Sequence, residues 1–84
     1  MIVRMWEAKA RPDAMTDTLS WVCDVALPII EVDPQHVESE VFSSTDNRIV
    51  VISRWRGTPV DMAEPPRRFV ERPPHAWDFS PVDR

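Results

Sequence analysis

"HVESEVFSSTDNRIVVISRW", residues 36–55, decides the fold, because it reads as a β-hairpin and sorts its residues onto two sheet faces. Runs of β-branched and aromatic residues flank a polar centre, and Asp46-Asn47 tolerates the positive φ of a tight turn. A two-residue loop there sets Phe42 opposite Val51, Glu40 opposite Ser53 and Glu38 opposite Trp55. One face then carries Val37, Ser39, Val41, Val50 and Ile52, suited to packing under a helix. The other collects Glu38, Glu40, Phe42, Ile49, Val51, Ser53 and Trp55. That second face is too apolar for water and too charged for an ordinary core. A face of this kind is expected where a sheet packs on another subunit or edges a cavity.

Upstream, "IVRMWEA", residues 2–8, predicts a first strand, with Ile2, Arg4, Trp6 and Ala8 on one side and Val3, Met5 and Glu7 on the other. A helix follows. Pro12 and Asp13 mark its start, with Asp13 able to accept from free first-turn N–H groups. Met15, Leu19, Val22, Ala26 and Ile30 form its apolar stripe. Cys23 sits beside that stripe and reads as a small core residue. Pro28 removes the hydrogen bond to the Asp24 carbonyl, so a kink or an end is expected there, and Asp33-Pro34 stops the helix.

Downstream, "GTPVDMAEPPRRFVERPP", residues 57–74, holds five prolines, which exclude a long second helix and leave two short turns near 60–64 and 66–71. Gly57 is read as relief for the backbone where the third strand ends. "HAWDFSPV" alternates as a last strand, with Trp77 and Phe79 on one face. The order strand, helix, strand, strand, short turns, strand is a ferredoxin-like βαββαβ arrangement with an antiparallel sheet and a second helix shortened or absent.

Eighty-four residues make one domain, 1–84. A chain of that length buries only about 60–65% of its unfolded surface, so small domains usually recruit a disulfide, a metal or a partner subunit. Cys23 is the sole cysteine, so an intrachain disulfide is impossible, and His36 and His75 lie far apart without thiol companions, so no metal-ligand spacing exists. A homodimer becomes the favoured staple. Charge is uneven: residues 1–47 carry three bases and nine acids, residues 48–84 seven bases and five acids, for a net of −4 overall. Such asymmetry suits self-association and equally a solvated surface. No basic run suits nucleic acid, and no apolar run approaches the roughly 20 residues that span a bilayer. An unpaired thiol and the absence of an export-like opening lead to a cytoplasmic expectation. With Gly57 the only glycine, neither a phosphate-cradling loop nor a dinucleotide fingerprint is possible.

"MIVRMWEAKA", the kinked "ALPIIEVDP" and a third strand ending in "SRW" give residues 1–56 a layout that resembles the antibiotic biosynthesis monooxygenase-like proteins. The resemblance implies ferredoxin-like protomers whose sheets pair face to face in a dimeric α+β barrel. Members include cofactor-independent oxygenases of aromatic compounds and haem degraders; barrels related by fold include polyketide cyclases and lactone isomerases. Haem degraders use an Asn on the first strand, a Trp just after the third and a His on the second helix. Only Trp55 matches here, so no haem and no other cofactor is implied.

His75 is the most plausible proton-transfer group, because histidine titrates near neutrality; the alternative is a histidine that only leads into the last strand. Trp6, Trp55 and Trp77 fall on separate strands and suit walls for a flat aromatic or polyketide-like ligand, although Trp equally serves a core or an interface. Glu38 is the carboxylate candidate of the same pocket. Glu38 and Glu40 share a face and are as well suited to pairing with Arg4, Arg54 or Arg56. Two functions follow: a small enzyme acting on such a ligand without a cofactor, or a non-catalytic binding or interaction module.

Overall fold

The hairpin forms one residue out of the expected register. In the computed structural model, which describes residues 1–84, strand β2 (His36–Ser43) pairs with β3 (Arg48–Trp55), setting Val41 opposite Val51 and Phe42 opposite Val50. The cause is the turn. The Asn47 N–H bonds the Ser44 carbonyl at 3.3 Å, and the Ser44 N–H bonds the Arg48 carbonyl at 3.0 Å. Asn47 itself has φ 65. This is a three-residue loop with the left-handed residue last, instead of a two-residue loop with both residues left-handed. One extra loop residue changes the parity of β3 and exchanges its faces. Ile49, Val51, Ser53 and Trp55 therefore lie under the helix and are buried, while Val50, Ile52 and Arg54 take the opposite face. Ser39 and Val41 lie on the covered side, and Glu38, Glu40 and Phe42 on the open side, as expected.

A bulge between His36 and Glu38 adds a second change of parity at the start of β2. It turns Val37 out to 39% exposure and sets His36 and Ser39 on the same face. His36 Nε2 lies 2.7 Å from Ser39 Oγ, and its ring meets Trp55 edge-on with centroids 5.2 Å apart.

Strand β1 (Ile2–Lys9) is central and β4 (His75–Phe79) lies at its outer side, giving the antiparallel order β2-β3-β1-β4 of a ferredoxin-like α+β fold. One helical layer covers one face. It opens on a 3-10 turn at Pro12–Ala14, where no side chain caps the free N–H groups; the expected Asp13 cap is not made. Helix α1 (Met15–Trp21) passes through a π turn (Val22–Ala26) into α2 (Leu27–Glu31). Pro28 explains the π turn: it has no N–H for the Asp24 carbonyl, and the Leu27 N–H reaches back five residues to the Val22 carbonyl. The widened turn shifts the helical phase. Leu27 is carried inward with Val22, Ala26 and Ile30, whereas Val25 and Ile29 face outward. Cys23 goes outward too, so it is an exposed thiol and not the small core residue that α-periodicity predicts.

The core is a cluster of nine residues: Trp6, Ala8, Val22, Leu27, Ile30, Ile49, Val51, Trp55 and Val70. Trp55 is fully buried and donates its indole N–H to Ser53 Oγ at 2.8 Å, so both polar atoms are satisfied. Of the two turns expected after Gly57, only a 3-10 turn at Arg67–Phe69 forms; residues 59–66 run as irregular chain. Gly57 does not have a positive φ. Its missing side chain makes room for Gln35, whose Oε1 would lie 2.8 Å from an added Cβ. The smallest dimension of the molecule is 17 Å, which one sheet and one helical layer fill. The other sheet face is bare.

Candidate functional site

Three cross-strand rows build the bare face. Glu40, Ile52, Met5 and Trp77 form one; Glu38, Arg54, Val3 and Phe79 the next; Phe42, Val50, Glu7 and His75 the third. Phe42, Trp77 and Phe79 are 48%, 43% and 53% exposed, values that place three aromatic rings on one side of the sheet in water. Ion pairs fringe them. Arg54 Nε meets Glu38 Oε1 at 3.1 Å, and Glu7 receives Arg48 at 3.4 Å and Arg72 at 2.7 Å. The His75 ring stacks on Trp77 at 5.9 Å between centroids.

On the covered side, next to β4, a small depression of about 190 Å³ opens over Trp6. Met62 and Pro74 supply further apolar wall, and His75 borders it from the strand end. Arg4 holds the depression together. Its Nε and Nη2 donate to Asp78 at 2.7 and 3.0 Å, and its Nη1 donates to Asp61 at 2.7 Å. This bond ties the irregular chain after Gly57 to β1 and β4. The Arg4 bond holds the Asp78 carboxyl below its ordinary range, and Asp78, more than any other group, raises Arg4. In the hairpin loop, the Ser44 hydroxyl bond lowers Asp46, with Arg48 and Lys9 adding their charges.

The sequence-predicted site residues fall into separate places. Trp6 and His75 meet at the depression; Trp77 joins His75 on the bare face. Glu38 stands on the bare face across β3, paired with Arg54 within the chain. Trp55 lies in the filled core and borders neither hollow. The five do not line one common pocket. Sequence reasoning missed the Arg4–Asp61–Asp78 bond, although Arg4 on a face shared with Trp6 and Ala8 signalled that a carboxylate must come to it. No hydrogen bond or ion pair is made by the His75 ring. No group of three or more His, Cys, Asp or Glu side chains is placed to hold a metal ion, and no helix is long and apolar enough to cross a membrane.

No family model and no curated protein matches the chain. Among solved structures, the structure of Rv0793 from Mycobacterium tuberculosis aligns with a TM-score of 0.72 at 14% identity, covering 99% of this chain and 96% of that one. A likeness at that identity carries the fold alone.

Proposed function

We propose that the chain works as a homodimer, sheet on sheet, that binds a flat aromatic molecule at the Trp6 depression without a bound cofactor. The observation that carries the dimer is the bare face: Phe42, Trp77 and Phe79 exposed together on an 84-residue chain with fifteen buried residues. A two-fold axis would bury this face against the same face of a second copy, as an isologous interface requires.

The depression limits the ligand. Sites for larger metabolites run to about 300–1,000 Å³, and about 190 Å³ is room for a single aromatic ring. In the catalytic version of this reading, His75 moves a proton on the bound ring, in the manner of the antibiotic biosynthesis monooxygenase-like proteins or of a cyclase or isomerase. A second reading, a non-catalytic binding or interaction module, is favoured by the His75 ring, which is engaged with Trp77 and has no hydrogen-bonded acid or base to assist it. Titration with phenol, followed by tryptophan fluorescence, tests the binding. Saturable quenching that is lost in Trp6→Leu supports the site; unchanged quenching in that variant removes it. Mass spectrometry of the phenol after aerobic incubation then separates the two versions, because turnover abolished in His75→Ala supports the enzyme and an unaltered ligand supports the module.

A further inference from the structure

A second cleft, of about 390 Å³, lies at the end of β1, where the chain from Glu64 to Pro73 curls around Arg11. Five charged residues border it: Arg11, Glu64, Arg67, Glu71 and Arg72. The Arg72 guanidinium is already committed to Glu7 at 2.7 Å. The other four make no ion pair and no side-chain hydrogen bond, with each other or with any neighbour. Two cations and two anions thus face one hollow without neutralising one another.

The frame keeps them apart. Arg11 N–H bonds the Phe69 carbonyl at 2.8 Å, Glu71 N–H bonds the Lys9 carbonyl at 2.9 Å, and Ala10 bridges Val70. Pro65 and Pro73 stiffen the rim, and with Val70 they provide an apolar wall. A frame fixed before a ligand arrives loses little freedom on binding. A simple anion would leave Glu64 and Glu71 without a partner, and a simple cation would leave Arg11 and Arg67 without one. A molecule that carries both signs satisfies all four groups.

We propose that this cleft binds a small amino-carboxylate zwitterion of the amino-acid class, with its carboxylate on Arg11 and Arg67, its ammonium on Glu64 and Glu71, and an apolar side chain against Val70, Pro65 and Pro73. The site is separate from the Trp6 depression, although Glu64 borders both.

The test is a methyl and amide NMR titration of the full chain with three probes: L-leucine, N-acetyl-L-leucine and L-leucinamide. L-leucine is expected to shift Val70 and Glu71 saturably, with both blocked forms at least tenfold weaker. Arg67→Ala and Glu71→Gln, at exposed positions that leave the fold intact, should each weaken L-leucine by about tenfold. The proposal is overturned if N-acetyl-L-leucine or L-leucinamide binds as well as L-leucine, if none of the three binds at millimolar concentration, or if the shifts centre on the Trp6 indole. Failure here leaves phenol quenching at Trp6 unaffected, so the two sites stand or fall separately.

Discussion

The two faces of this sheet are built from the same four strands, yet they have opposite surroundings. Under the helix, Trp55 is completely buried with its indole N–H satisfied; on the other side, Trp77 is 43% exposed and stacks on His75. Apolar residues lie on both, Val50, Ile52, Met5 and Phe79 on the bare face and Val51, Ile49, Trp6 and Ala8 beneath the helix, although only the bare face intersperses them with Glu38, Glu40, Arg54 and Glu7. Parity separates them, and the parity of β3 is set by one loop residue. The lesson is that an apolar face in a small domain is only half an argument: it states that something covers it, and the neighbouring element decides whether the cover is the chain itself.

The sharpest way to break this contrast is to truncate a Trp on each side. Trp55→Ala removes a core ring and its bond to Ser53, and should cost about 3–5 kcal/mol in urea unfolding. Trp77→Ala should leave the unfolding of the isolated protomer within about 0.5 kcal/mol, while weakening self-association by tenfold or more. Comparable unfolding losses for both variants, measured at concentrations too low for dimers, would remove the distinction between the faces.

The next effect acts on the parity itself. Asn47→Ala places a Cβ-bearing residue without a local hydrogen-bonding side chain in the left-handed region, and thermal unfolding should show a loss of about 1–2 kcal/mol. Asn47→Gly should show none. Equal losses in the two would mean that the left-handed residue does not define the turn.

Arg4→Met sharpens the comparison on the covered side. Its carboxylate partners are open to water, Asp61 almost completely, so the loss should be about 1 kcal/mol. The chain around Asp61 should also become more open to proteolysis. The sign of the pH dependence follows from Asp78. Its folded carboxyl is held below the ordinary 3.8, so its contribution is fully present above that value and is lost as pH falls through the lowered one. Acid titration of wild type should reveal this loss below about pH 4, and Arg4→Met should lack the Asp78 part of it. The smallest effect is expected at Gly57→Ala. The added Cβ meets only the end of the flexible Gln35 side chain and the backbone φ is not positive, so a change of a few tenths of a kcal/mol is expected in a melt.

Much of the fold was legible because its signals are local. Alternation in residues 2–8 and 36–55, the stripe from Met15 to Ile30, and the proline density after Gly57 each define an element without reference to the others. What was not legible depended on single-residue geometry. Asp46-Asn47 supports a two-residue or a three-residue loop equally well, and the choice reverses β3; Pro28 supports a kink, a stop or a π turn, and the choice moves Cys23 and Leu27. The candidate site was less legible still. Trp6 and His75 are 69 positions apart and meet only because β4 returns beside β1, while Asp61 reaches Arg4 from a stretch that carries no periodic signal.

Sedimentation velocity of the wild-type chain beside Trp77→Asp, at micromolar concentration, tests most directly whether a second copy occupies the bare face. The account predicts a wild-type species of twice 9.7 kDa, and a variant that sediments as single copies with an unchanged circular dichroism spectrum. A folded wild type that remains at 9.7 kDa, with Trp77 still accessible to a water-soluble quencher, would contradict it.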